Sequence, residues 1–407
     1  VDVRKYQVLA NSDVQLKEIS VSLRHKFWGL GLIIAISTFQ AKAADKSSFE
    51  FYGFAQLDYI QDFQRVDPNW EDALRPSKIP AHAGQYGSDG QAILGVRQSR
   101  FGVQSSLPID EQTLYTRLEF DLWGMGADEG KTTPRLRHAY GQWGDWLGGK
   151  TDSVFMDVGI FPLVIDFWGP TGMAFTRNPQ IRWMPLQGDT AVAVAIEKPS
   201  ADIDRGDVTD NLQADKKVPD LTAHLRKSGG WGHVQLAGLL RQIGYEASGV
   251  GNHSPSEQKT GWGLNLTSRL FVMEKDQLLL GVVSGEGIAS YMNDGGNDIG
   301  FDGTVANYSA KALPLIAYSA YYNHSWNDKW STALGLSQTE VENADLQKAD
   351  AYKRGQYASI NLLATPHKNM LTGAEFLWGS RKSNDGTLNE DTRIQVSMKY
   401  YFSSKDL

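Results

Sequence analysis

The sequence predicts an all-β chain: a transmembrane antiparallel β-barrel of about sixteen strands, porin-like, with one pore-constricting loop. Three observations point there: a secretory leader near the start, period-two alternation of apolar and polar residues, and tight turns that exchange regularly with long loops. Composition sets the bounds. The 407 residues include no cysteine, which excludes a disulfide framework, a thiolate metal site and a Cys nucleophile. Aromatic residues make up 11% of the chain, charged residues 21%, and the mean hydropathy is −0.37. Such a chain is too aromatic for disorder and too polar for a helical membrane bundle. Its length suits two or three soluble domains or one large barrel. The net charge of −7 argues against nucleic acid as a partner.

The leader is read from Arg24-His25-Lys26, the apolar run Phe27 to Ile36, and Ala41-Lys42-Ala43. A basic segment, a short apolar segment and a small-x-small site in that order make a secretory signal peptide, with cleavage expected between Ala43 and Ala44. The apolar run is too short to anchor in a bilayer as a helix. Residues 1–20 have no place in such a peptide, and translation is expected to begin near Val21. Residues 44–407 are then expected to form a single barrel in the bacterial outer membrane, in contact with its lipid.

Strand patterning begins at Phe49. Leu114, Leu118, Phe120 and Leu122 share one parity, with Tyr115, Arg117, Glu119 and Asp121 on the other, so one face is greasy and the other charged. Ile394, Val396, Met398, Tyr400 and Phe402 alternate likewise with Arg393, Gln395, Ser397, Lys399 and Tyr401. Segmentation on this basis gives strands near 49–63, 92–107, 112–124, 134–147, 149–156, 174–184, 189–198, 219–228, 231–244, 258–271, 276–288, 313–326, 329–341, 355–366, 369–381 and 391–402. The even-numbered strands end in tight turns such as Pro108-Ile109-Asp110-Glu111, Val272-Met273-Glu274-Lys275 and Asn327-Asp328. The odd-numbered ones mostly end in long loops, such as 64–91, 157–173, 199–218 and 289–312. A soluble sandwich has no reason to gather its long loops at one end, whereas a membrane barrel has short periplasmic turns and long extracellular loops.

Cations slightly outnumber acids within the strand spans, so the chain's acidity belongs to its loops. Apolar residues facing lipid leave the opposite parity to the lumen, because Arg or Lys at the lipid midplane costs about 2–4 kcal/mol. Candidate lumen residues are Arg100, Arg117, Arg137, Arg177, Arg182, Arg226, Arg241, Arg269, Arg381, Arg393 and Lys399, with Arg100, Arg117, Arg137, Arg177, Arg182, Arg241 and Arg269 assigned to solute binding at the constriction. A ladder of guanidinium groups is a track for small anions; the competing role for each arginine is a brace paired with Glu119, Asp121 or Glu375. The aromatic, Gly- and Pro-rich stretch after the fifth strand contains Asp166-Phe167-Trp168-Gly169-Pro170 and leads to Arg177. It is expected to fold inward, with Asp166, Trp168 and Arg177 as constriction-loop residues.

Several stretches resemble the DcaP-type outer-membrane channels: Asp62 to Trp70 with Leu74-Arg75-Pro76-Ser77, Arg97 to Val103, Arg137-His138-Ala139-Tyr140-Gly141, and Phe167-Trp168-Gly169-Pro170 through Arg182. They span most of the first half, and the second half matches in pattern. The resemblance implies a sixteen-stranded homotrimer whose arginine-lined constriction passes dicarboxylates and related small anions, and it favours Arg100, Arg137, Arg177 and Arg182. Some members carry an N-terminal coiled coil. Here only Ala44 to Ser48 precede the first strand, so the trimer is expected to be held by barrel walls, and five residues follow Phe402.

Other classes fare less well. The eight His are scattered, and His253-Ser254 has no partner placed by spacing, so no barrel hydrolase is assembled. Glu119 and Asp121 alternate with Arg117 and read as lumen lining rather than as a glycosidase pair. No Gly-rich phosphate loop, His-rich metal cluster or nucleotide fingerprint is present, so neither a cofactor nor a metal is expected. The nearest competitor is a sugar-selective porin with an aromatic track.

Overall fold

In the computed structural model, residues 47–406 are described. The predicted secretory leader and its cleavage site lie outside the described residues. Twenty strands follow in chain order: β1 (Ser48–Asp62), β2 (Gln91–Gly95), β3 (Arg100–Ile109), β4 (Gln112–Trp123), β5 (Thr132–Trp143), β6 (Trp146–Asp152), β7 (Arg177–Leu186), β8 (Thr190–Glu197), β9 (Leu212–Asp215) and β10 (Asp220–Gly229). The second half contributes β11 (Gly232–Ala247), β12 (Ser256–Val272), β13 (Asp276–Glu286), β14 (Ile299–Thr304), β15 (Asn307–Ala312), β16 (Pro314–Ser325), β17 (Trp330–Val341), β18 (Tyr352–Ala364), β19 (Met370–Ser383) and β20 (Leu388–Ser403).

All but β14 and β15 belong to one antiparallel sheet. β2 and β3 lie end to end along β1, and β9 and β10 lie end to end along β11, so the eighteen segments make sixteen wall strands. Each wall strand pairs with its sequence neighbours, and β20 pairs with β1 from Tyr52↔Ser403 to Asp62↔Arg393. The barrel is therefore closed, which leaves no backbone edge exposed in hydrocarbon.

The expected alternation decides which face is which. Ile394, Val396, Met398, Tyr400 and Phe402 of β20 are exposed on the outer surface, whereas Asp391, Arg393, Gln395 and Ser397 are buried inside. The same holds for β12, where Trp262, Leu264 and Leu266 face out while Asn265 and Thr267 face in. Exposed aromatics crowd the short-turn end: Trp143, Trp146, Trp183, Trp231, Phe271, Trp326, Trp330, Tyr400 and Phe402. Amphipathic rings at one rim form the girdle of a membrane barrel.

Three features depart from the sequence expectation. The predicted strand 92–107 is broken at residues 96–99, where Arg97 and Gln98 turn into the interior and are buried. The hairpin predicted to turn near residue 148 turns at Gly144-Asp145 instead, because Gly144 has a φ of +56°, a left-handed conformation that glycine adopts without strain. The long loops are also more ordered than expected: 289–312 contains the β14–β15 hairpin, and 199–218 contains β9. Val208, Leu212, Ile243, Tyr245, Ile299, Phe301 and Leu346 bury one another there, which gives the long-loop end an apolar core of its own.

Candidate functional site

Between β6 and β7 the chain leaves the wall and crosses the barrel interior over residues 153–176. Backbone groups taken out of water need partners, and the lumen-facing polar side chains supply them. Asn265 of β12 donates to the Phe155 carbonyl at 2.8 Å, and Gln235 of β11 to the Met156 carbonyl at 3.1 Å. Farther along, Asn361 of β18 donates to the Leu163 carbonyl at 2.6 Å and Gln395 of β20 to the Ile165 carbonyl at 3.0 Å. The Ile165 and Asp166 amides donate to Glu375 of β19 at 2.6 and 3.1 Å. A Cβ at Gly172 would collide with the carbonyl oxygens of Tyr318 and Gln338, so only glycine lets the returning chain lie this close to β16 and β17.

Two carboxylates pin the loop. Asp157 accepts from Arg226 at 2.6 Å, from Thr267 at 2.7 Å and from the Gly159 amide at 2.8 Å, with His233 Nε2 at 2.7 Å. Burial by itself would raise its pKa, but Arg226, His233 and Thr267 together hold the carboxyl well below the usual range. Asp166 accepts from the Leu74 amide at 3.1 Å, the Gly169 amide at 3.0 Å and the Tyr357 hydroxyl at 3.1 Å. Here burial prevails over those hydrogen bonds and the carboxyl is pushed up. Aromatic packing finishes the seat: Phe167 stacks on Trp123 with centroids 3.9 Å apart, and Trp168 meets Trp70 edge-on at 4.7 Å.

The loop leaves a cavity of about 160 Å³ against the wall formed by β20, β1 and β3 to β7. The loop side is mostly apolar, through Phe161, Pro162, Val164, Phe167 and Trp168, whereas the wall side is cationic, through Arg100, Arg117, Arg135, Arg137, Arg177 and Lys399. Carboxylates on the same inner face of the wall hold most of these cations in place. Glu119 receives Arg117 at 2.7 Å and Arg137 at 2.8 Å, Asp121 receives Arg135 at 2.6 Å and Arg137 at 2.8 Å, and Asp152 pairs with Arg177 at 2.8 Å. Bracing and lumen lining are thus combined in the same residues.

Of the residues assigned in the sequence to the constriction and its loop, Arg100, Arg117, Arg137, Arg177, Asp166 and Trp168 all meet at this cavity, joined by the candidate lumen residue Lys399. Three do not line it. Arg182 is turned along β7, donating to Gln180 at 3.0 Å and to the Asp152 carbonyl. Arg241 is buried between Asp220 and Asp298, at 3.2 Å from each, under the long-loop core. Arg269 sits toward the short-turn end, opposite His233, with its guanidinium 5.4 Å from the Phe271 ring centroid. Arg135 was missed by sequence reasoning. It has the same parity as Arg137, which was the available signal. Among the described residues no group of three or more His, Asp or Glu is arranged to hold a metal ion.

A closed sixteen-stranded barrel with a greasy outer face, an aromatic girdle and a loop folded into a charged lumen defines an outer-membrane channel of the porin class. The profile of the DcaP outer membrane protein family matches residues 32–402, and the chain belongs to that family. Among solved structures it is similar to the outer membrane channel DcaP of Acinetobacter baumannii, with 24% identity, a TM-score of 0.76, and coverage of 89% of this chain and 99% of that one. It also shares the fold of the anion-selective porin from Comamonas acidovorans, at 11% identity and a TM-score of 0.58, covering 88% of this chain and 100% of that one. OmpT of Vibrio cholerae is similar at 12% identity and a TM-score of 0.56, over 88% of this chain and 98% of that one. Comparison with curated protein sequences returned no match.

Proposed function

We propose that this channel passes small organic anions, dicarboxylates among them, by passive diffusion along the cationic wall of its constriction, and that it does so as a homotrimer. One observation carries the reading: six cations from five wall strands, Arg100, Arg117, Arg135, Arg137, Arg177 and Lys399, converge on one cavity that, among the described residues, two carboxylates, Asp152 and Asp166, line with them. With Glu119 and Asp121 of the same inner face also counted, the cations remain in excess. In a narrow passage with low-dielectric walls such an excess concentrates anions and repels cations. The facing loop surface of Phe161, Val164 and Phe167 offers the carbon skeleton of an organic acid an apolar side to slide against, while its carboxylates follow the guanidinium groups. One of the structural relatives is an anion-selective porin, which agrees with this direction of selectivity.

Flux into proteoliposomes tests the reading. Succinate is expected to enter faster than an uncharged solute of similar size, and a diamine of the same length slower than both. Equal rates for all three, or the fastest entry for a neutral sugar, would replace anion passage with unselective or sugar passage.

A further inference from the structure

The six cations of the lumen wall are not equivalent. Arg117, Arg135, Arg137 and Arg177 each make a close ion pair with a carboxylate, at 2.6–2.8 Å. Arg100 approaches Glu119 no closer than 3.6 Å, and its buried Nε has no hydrogen-bond partner among the described residues. Among the described residues Lys399 has neither an ion pair nor a hydrogen bond; its contacts are with aromatic faces, 4.5 Å from the Phe54 centroid and 6.0 Å from that of Tyr401.

These two cations also share a ring. Phe54 lies midway along β1, paired with Arg100 of β3 on one side and with Tyr401 of β20 on the other. Lys399 is two residues from Tyr401 on the same face of β20. The Arg100 guanidinium lies 5.2 Å from the Phe54 centroid, so two like charges from different strands converge on one buried phenyl ring, and both line the cavity. With Arg100 held only by its longer approach to Glu119 and Lys399 by no ion pair among the described residues, the two cations beside this apolar ring are incompletely neutralised until an anion enters. Neither the 3.6 Å approach of Arg100 to Glu119 nor the aromatic contacts of Lys399 uses all the donors of these groups, which leaves N–H groups for a ligand.

Building on the anion-passage reading, we propose that Arg100 and Lys399, bracketing Phe54, form an oxyanion-binding subsite that captures one carboxylate of a transiting organic acid. The paired arginines shape the lumen, and this subsite sets how strongly an anion is held. Lys399 is then a specificity-determining residue supplied by the last strand of the barrel, far in sequence from the Arg-rich strands.

The test is current block in planar bilayers by succinate and, separately, by inorganic phosphate, using the full-length folded channel. Lys399→Gln and Arg100→Gln are each expected to raise the succinate concentration for half-block roughly fivefold or more, the loss of one charge-assisted hydrogen bond. Lys399→Arg is expected to retain block. Arg269→Gln removes the same formal charge from a position that does not line the cavity, and is expected to shift half-block less than about twofold. Heat-modifiable gel migration of each variant confirms that the barrel is intact. Phosphate blocking as strongly as succinate would mark a general oxyanion site, and succinate blocking more strongly would mark a carboxylate site; both support the subsite. Wild-type block that persists unchanged in Lys399→Gln and Arg100→Gln would overturn it while leaving anion passage standing. A wild-type channel blocked by neither anion would overturn the subsite and, if also cation-selective, the reading beneath it.

Discussion

The guanidinium of Arg75 lies 4.4 Å from the ring centroid of Trp168, so a residue of the first long loop is seated directly on the loop that crosses the lumen. The same guanidinium lies 4.1 Å from the Trp70 centroid, and its Nη2 reaches Asp294 at 2.9 Å. One side chain therefore ties together three loops that are remote in sequence. Arg75→Ala is expected to loosen the crossing loop, with a loss of about 1–3 kcal/mol from the cation–π and ion-pair contacts. The checks are greater open-channel current noise and faster proteolysis near Trp168, with partial recovery in Arg75→Lys.

Glu119 is a hub whose removal is expected to separate stability from selectivity. Its carboxylate receives Arg117, Arg137 and the Tyr52 hydroxyl, the last at 2.9 Å, with Arg100 at 3.6 Å. Glu119→Gln leaves buried cations without their counter-charge and is expected to cost about 3–5 kcal/mol, seen as a lower unfolding temperature. Any folded channel that results is expected to be more anion-selective than the parent, because the lumen has lost a negative charge.

Of the two carboxylates that pin the crossing loop, Asp157 is the one held ionised as the pH falls. Its folded pKa is depressed, so its stabilising contribution is present above the ordinary carboxylate value of about 3.9 and is lost only as the pH falls through the lower folded value. Open-channel noise that depends on this anchor is therefore expected to stay constant from neutral pH down to about pH 5. Asp157→Asn is expected to raise the noise across that whole range, which single-channel recording reads directly.

The assignment of faces is tested on β12. Leu264 faces outward and Asn265 inward. Leu264→Arg is expected to cost about 2–4 kcal/mol near the bilayer midplane and to reduce the folded fraction recovered from the outer membrane. Leu264→Phe is expected to be tolerated.

How much was legible in the sequence follows from the range over which each signal acts. Period-two alternation is local and strong, as in β20, and the positions of the sixteen wall strands could be read from it. The break at residues 96–99 could not, because Arg97 turns inward to Asp72, a long-loop residue whose position depends on the whole barrel. Arg117 and Arg137 were found by parity, but parity does not tell a cation paired by its neighbour from one left free. That distinction depends on contacts across strands: Arg177 has Asp152 at 2.8 Å, whereas among the described residues no carboxylate lies within ion-pair distance of Lys399. Arg241 likewise looked like lumen lining and is instead enclosed by Asp220 and Asp298, an arrangement made by a long loop folding back over the wall.

The most direct measurement is the reversal potential of the purified channel in a planar bilayer under a KCl gradient. The cationic wall predicts a sign corresponding to chloride preference, and a current reduced by succinate in a concentration-dependent way. A reversal potential of the opposite sign, with no effect of succinate, would contradict anion passage while leaving the barrel itself untouched.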